Sequence, residues 1–166
     1  MMLVQATTLY VYWGNRREGL EATAARMMAM LDDLKPVHPA FERWLWEHPQ
    51  DEQWVPYGGQ PRTIEGLVSA FQAELADPDV ERPTVPGFGF STSAWNGEKE
   101  ARAGAFSCSL ENTHRAAIFP NLVSFTLRSR QFGDPTMICT GILTQVLAAV
   151  AQAWSPVWAT IFPFDL

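Results

Sequence analysis

Between Leu9 and Leu34 the period of the apolar residues changes within a few positions, and that switch constrains the fold more than any other feature of the chain. Leu9, Val11 and Trp13 alternate with Tyr10 and Tyr12, the pattern of a strand with two unlike faces. The run ends on the bulky pair in Tyr12-Trp13-Gly14-Asn15-Arg16. Asn15 is then placed to cap a helix that begins at once, with Glu18 three residues on closing a capping box. Leu20, Ala24, Met27, Leu31 and Leu34 follow at helical spacing, which predicts a helix with one stripe against a core. A strand feeding straight into an amphipathic helix builds a fold. None of its residues carries chemistry on its own.

The same reading extends along the chain. Pro36 and Pro39 break the first helix, and Phe41 to Trp46 reads as a short strand, with one or two helical turns as the alternative. Residues 47–62, rich in proline, glycine and charge, read as an exposed loop. Thr63 caps an amphipathic helix carrying Ile64, Leu67, Val68, Phe71 and Leu75, and residues 77–86, with three prolines, form a second loop. Phe88, Phe90, Thr92 and Ala94 share one strand face and Phe106, Cys108 and Leu110 the matching one, with Asn96-Gly97 in the turn between them. Leu122 to Arg128 is a third strand of this group, with Val123, Phe125 and Leu127 inward. Asp134 and Pro135 open a helix that reads as central and nearly buried, and Trp158 to Phe162 closes the chain with a short strand. The order predicts an α+β protein, residues 1–166 as a single domain, with a mainly antiparallel sheet and helices packed on one face.

Composition narrows the function. Hydrophobic residues at 47% and charged residues at 18% describe a folded globule. A net charge of -6 argues against a general nucleic-acid binder. The charge is uneven: residues 1–100 carry 15 acids and 8 bases, a balance of -7, against 3 acids and 4 bases, +1, in residues 101–166. An acidic half suits a partner with a basic surface, and it equally suits plain solubility. Two cysteines, Cys108 and Cys139, and the absence of a secretory signal before the first strand point to a reduced cytoplasmic protein, the thiols acting as buried apolar groups. The uncharged run from Pro135 to Pro156 is long enough to span a membrane, but Gln145, Gln152 and four hydroxyl residues interrupt it, so no membrane association is expected.

Catalytic patterns are scarce. Gly87-Phe88-Gly89-Phe90-Ser91 lacks the glycine pair around serine that a nucleophile elbow needs, and it lacks the third glycine of a dinucleotide fingerprint. His38, His48 and His114 show no metal-ligand spacing. No catalytic residue, metal or cofactor is therefore expected. The tryptophans are more informative, since there are seven. Trp13, Trp95, Trp154 and Trp158 read as core. Trp44, Trp46 and Trp54 instead share a neighbourhood with Glu42, Glu47, Asp51 and Glu52, a mixture suited to a protein interface in which aromatics anchor and charges steer. Its alternative is a core tryptophan with a solvated acidic rim. Glu42, Trp46, Glu47, Asp51, Glu52 and Trp54 are the candidate partner-binding residues.

The Trp13-Gly14-Asn15-Arg16 start, Phe41-Glu42-Arg43-Trp44, the Gly87 to Gly97 stretch with Ala94-Trp95-Asn96-Gly97, and Ala153-Trp154-Ser155-Pro156-Val157-Trp158 occur in that order. Together they resemble the immunity protein 52 family of bacterial polymorphic toxin systems, from about the first strand to the last. The resemblance implies a non-enzymatic antitoxin that binds a cognate toxin with a restriction-endonuclease-like nuclease domain, delivered by type VI secretion. Two other classes stand beside it: a small hydrolase or ligand-binding domain with a pocket invisible in sequence, and an adaptor subunit of a larger assembly.

Overall fold

The computed structural model describes residues 6–14, 18–48, 53–75, 90–98, 104–110, 121–128 and 138–164. Among them seven strands form one sheet: β1 (Ala6–Trp13), β2 (Leu45–His48), β3 (Gln53–Pro56), β4 (Phe90–Trp95), β5 (Gly104–Leu110), β6 (Asn121–Arg128) and β7 (Trp158–Phe164). Their order is β3-β2-β4-β5-β6-β1-β7, with every neighbouring pair antiparallel. Among the described residues three α-helices accompany it: α1 (Leu20–Leu34), α2 (Ile64–Leu75) and α3 (Thr140–Trp154). The α+β class and the antiparallel sheet are as the sequence predicts.

Register explains the core. Leu9, Phe125, Phe106 and Ala94 stand opposite one another across four strands, and so do Val11, Val123, Cys108 and Thr92. All are buried, as the alternation requires. The helices lie on this face. Trp154 of α3 stacks on Trp13 of β1 with ring centroids 4.8 Å apart, and its indole N–H points to Met30 Sδ of α1 at 3.3 Å. Arg26 locks the same junction: its Nε donates to both carboxylate oxygens of Glu18, at 3.0 and 2.9 Å, and its Nη1 to the Ala153 carbonyl at 2.7 Å. That carbonyl lies in the last turn of α3, where backbone acceptors lack helical partners and a cation is favoured.

Several boundaries differ from expectation. Helix α1 starts at Leu20 with Gly19 at its N-cap and no side-chain cap, so it does not begin at Asn15, which lies outside the described residues. Glu18 pairs with Arg26. The 47–62 segment is not a loop throughout, because β2 and β3 pair as a hairpin from Leu45↔Pro56 to His48↔Gln53. Proline and charge mislead there because β3 is an edge strand, where a missing N–H and polar side chains are tolerated. The residues before β2 form a 3-10 turn, Pro39–Phe41, capped by the His38 ring, whose Nδ1 accepts from the Ala40 N–H.

Helix α2 carries its predicted cap, with Thr63 Oγ1 accepting from the Gly66 N–H at 3.0 Å. Helix α3 begins at Thr140 with Cys139 at its N-cap, whereas Asp134 and Pro135 lie outside the described residues. It buries one stripe, including Val146, Val150 and Trp154, and exposes Thr144, Gln145 and Ala148, so it is amphipathic and not nearly buried. It stops where Ser155 enters the left-handed region at φ 46° ahead of Pro156. Asn96-Gly97 opens a longer connection instead of a two-residue turn. Asn96 Oδ1 accepts from the Glu98 and Gly104 N–H groups, and its Nδ2 donates to the Ala40 carbonyl. Cys108 is buried as expected, but Cys139 is exposed. The 77–86 loop lies outside the described residues. No helix among the described residues is long and apolar enough to cross a membrane.

Candidate protein-binding surface

The sheet face opposite the helices is not covered among the described residues. Pairing puts Trp95, Ala105, Thr126, Thr8 and Phe162 in one row of this face, and Ser93, Ser107, Ser124, Tyr10 and Thr160 in the next. Its middle is small and hydroxylic: Ser107 and Ser124 bond through their hydroxyls at 2.6 Å, and Thr8 and Thr126 at 3.2 Å. Both flanks are aromatic. On one, Tyr12 packs on Trp158 at 5.1 Å and Tyr10 meets Phe162 at 6.1 Å, with Trp158 53% and Phe162 46% exposed. On the other, Trp54 meets Trp95 edge-on at 5.3 Å, and Trp54 is 51% exposed.

The β2–β3 hairpin divides the candidate residues by strand parity. Glu47 stands directly across the ladder from Trp54, both exposed and on the uncovered face. Trp46 points the other way. It is buried, and its indole N–H donates to Glu74 Oε1 of α2 at 2.8 Å, which makes it a clamp between the hairpin and α2. Glu42 is exposed but sits before β2, beside Arg43 and Trp44, away from the Glu47–Trp54 pair in the ladder. Asp51 and Glu52 lie outside the described residues, in the connection between β2 and β3. The 42–54 segment is therefore part surface and part core.

The other tryptophans separate in the same way. Trp13 and Trp154 are core, as read from sequence, and so is Trp44, which the sequence reading had grouped with the interface candidates. Trp95 and Trp158 are not: Trp95 is half-buried on the uncovered face, and Trp158 is exposed. Even-numbered positions of β7 pair with even-numbered positions of β1, so Trp158 shares the face of Tyr10 and Tyr12. Parity relative to β1 could have shown this, but the pairing of β7 with β1 is not visible in a single sequence. Trp95 is held in place by donating its indole N–H to the Glu98 carbonyl at 3.0 Å.

Inside the core, burial pushes the Tyr57 hydroxyl well above the usual phenol range, against the lowering effect of its bond with Thr92. Burial likewise pushes the Cys108 thiol up. Both groups stay neutral, which suits structural roles. Among the described residues, no group of three or more His, Cys, Asp or Glu gathers at metal-binding spacing.

These features define an α+β protein with a helix-covered sheet face and an uncovered one, aromatic at both ends and carrying Glu47 on the hairpin. Residues 7–164 match the model of immunity protein 52, and the chain belongs to that family. No curated protein matches the sequence significantly. Among solved structures it is similar in fold to the Pseudomonas aeruginosa T6SS protein PA0821, with 14% identity and a TM-score of 0.50 over 95% of this chain. The aligned part is 40% of that chain, so this protein spans well under half of its length.

Proposed function

We propose that this protein neutralises a cognate nuclease toxin of a type VI secretion system by binding it at the hairpin end of the uncovered sheet face. The reading rests on one observation: Glu47 and Trp54 stand side by side on that face, with Trp95 behind them. A half-exposed aromatic pair gives a contact that can exclude water, and adjacent acids steer a basic surface toward it. A nuclease that grips DNA carries such a surface, and the -7 balance of residues 1–100 complements it. The protein acts by occupation, as one cytoplasmic domain without turnover of its own. Trp46 holds the hairpin from behind, and Asp51 and Glu52, outside the described residues, stay among the proposed contacts on their sequence position alone.

An inhibitor competing with chromosomal DNA needs a dissociation constant of about 1 nM or tighter, roughly -12 kcal/mol. Binding kinetics test the assignment. Reversing Glu47, Asp51 and Glu52 to lysine is expected to lower the association rate strongly at low salt and weakly at high salt, because exposed charges are screened. Trp54→Ala is expected to speed dissociation with little change in association. Unchanged kinetics in both variants would move the docking surface off the hairpin.

A further inference from the structure

Strand β4 pairs fully on one side only. With β5 it runs from Phe90↔Leu110 to Trp95↔Ala105, whereas its ladder with β2 is the single pair Leu45↔Trp95. The next pair in that register, Glu47 with Ser93, does not form, and the sheet forks there. Hydrogen-bond parity shows which backbone groups face the fork. The Asn96 N–H donates to the Gly104 carbonyl at 2.9 Å, so even-numbered residues of β4 bond β5, and the N–H and C=O groups of Ser91 and Ser93 point away from it. On the facing strand the Tyr57 N–H donates to the Trp44 carbonyl at 2.9 Å, which turns the backbone groups of Glu47 toward β4. Ser91 and Ser93 therefore present two donors and two acceptors with no ladder partner among the described residues.

Open edges invite pairing, and proteins usually guard them. The outer edges of this sheet are guarded. Strand β3 carries Pro56 and β7 carries Pro163, each where the missing N–H faces away from the ladder. Strand β4 has serine at both outward positions between Phe90 and Trp95, with neither proline nor charge. Ser93 is exposed, so the fork opens onto the uncovered face. Its floor is closed by buried Thr92 and by buried Trp46, bonded to Glu74 of α2. Trp95 stands at the joined end of the fork, with the Trp54 ring 5.3 Å from its own. An extended backbone matches such an edge, because it presents N–H and C=O groups in turn at the same spacing of about 7 Å per two residues.

We propose that the toxin adds an extended segment to the Ser91–Ser93 edge of β4, as a backbone-paired strand whose side chains on the uncovered face are apolar and pack on Trp95 and Trp54. This rests on the docking of a toxin at the hairpin end proposed above and adds its mode, main-chain pairing. Two variants separate backbone from side chain. Ser93→Pro removes the outward N–H and leaves the β4–β5 ladder its bonds, whereas Ser93→Ala keeps the N–H and removes the hydroxyl.

With an inactive variant of the cognate toxin, Ser93→Pro is expected to bind about tenfold or more weakly at an unchanged urea midpoint, and Ser93→Ala within about threefold of the parent. In the unmodified protein the Ser91 and Ser93 amides are expected to become protected from hydrogen exchange on binding. The Thr92 Hα of labelled protein, which points into the fork, is expected to show NOEs to unlabelled toxin. Should Ser93→Pro fold poorly, these two measurements decide. Parent-like binding by Ser93→Pro, or equal losses in both serine variants, overturns the proposal. Missing protection does the same, and so does protection without intermolecular NOEs, the sign of β2 zipping onto β4. A loss in Trp54→Ala with none in Ser93→Pro keeps the toxin on this face and removes the strand. Unaffected binding in both removes the docking surface itself.

Discussion

Trp154 and Trp158 lie four positions apart in the chain and in opposite environments. Trp154 is fully buried between Trp13 and Met30, so Trp154→Ala should cost about 3–5 kcal/mol, the usual cost of emptying a large aromatic site. Trp158→Ala, at a position 53% exposed, should cost far less. Urea midpoints of the two variants, compared with the parent, check the pair. An equal loss in both would mean that the uncovered face is packed in solution. Apolarity at single positions is plain in the sequence, and Leu9, Val123, Phe125 and Leu127 were readable from alternation alone. The side on which an aromatic residue falls depends on strand partners distant in sequence, and for Trp95 and Trp158 the bulk of the ring pointed the wrong way.

Among the elements, α2 shows how a small residue can be required inside a helix. A Cβ on Gly66 would stand 2.1 Å from the Gly58 carbonyl oxygen, backbone that cannot move aside cheaply because Gly58 holds φ 84° and its carbonyl accepts from the Thr63 N–H. Gly66→Ala gains about 1 kcal/mol of helix propensity. It should nonetheless lower stability by roughly 1–3 kcal/mol, since the clash forces a backbone shift. Thr63→Ala, which removes the cap, should cost about 1 kcal/mol. Chemical denaturation of both variants measures this, and a stabilised Gly66→Ala would show that the turn yields. Helices with local punctuation, such as α2 with Thr63, were legible. The β2–β3 hairpin was not, because its proline and acids belong to an edge strand, and a lone sequence does not say which strands are edges. Asn15 had the right chemistry for a cap, but the chain runs on to Gly19 before the helix starts. The surface pair Glu47 and Trp54 was named from composition; that they face one another came only with the ladder.

For the molecule as a whole, the two buried acids set an alkaline limit. In the folded state Tyr57 and Cys108 hold their protons beyond their ordinary values of 10.0 and 9.0. Above about pH 9 the unfolded chain loses these protons first and binds fewer than the native one, so stability falls as pH rises, by up to about 1.4 kcal/mol per unit for each group. Tyr57→Phe should flatten the part of that decline above pH 10, as read by urea denaturation across pH 8 to about 11. Sheet order carries a different consequence, one of timing. β1, made first, lies between β6 and β7, with Ala6 paired to both Arg128 and Phe164. During synthesis at about 5–20 residues per second, roughly 10–30 s separate the emergence of β1 from that of its second neighbour. Through that interval β1 has an open edge. A copy still being made therefore keeps β1 paired on one side only until residues 158–164 have emerged, and until then it offers an open strand edge to any other chain in its vicinity.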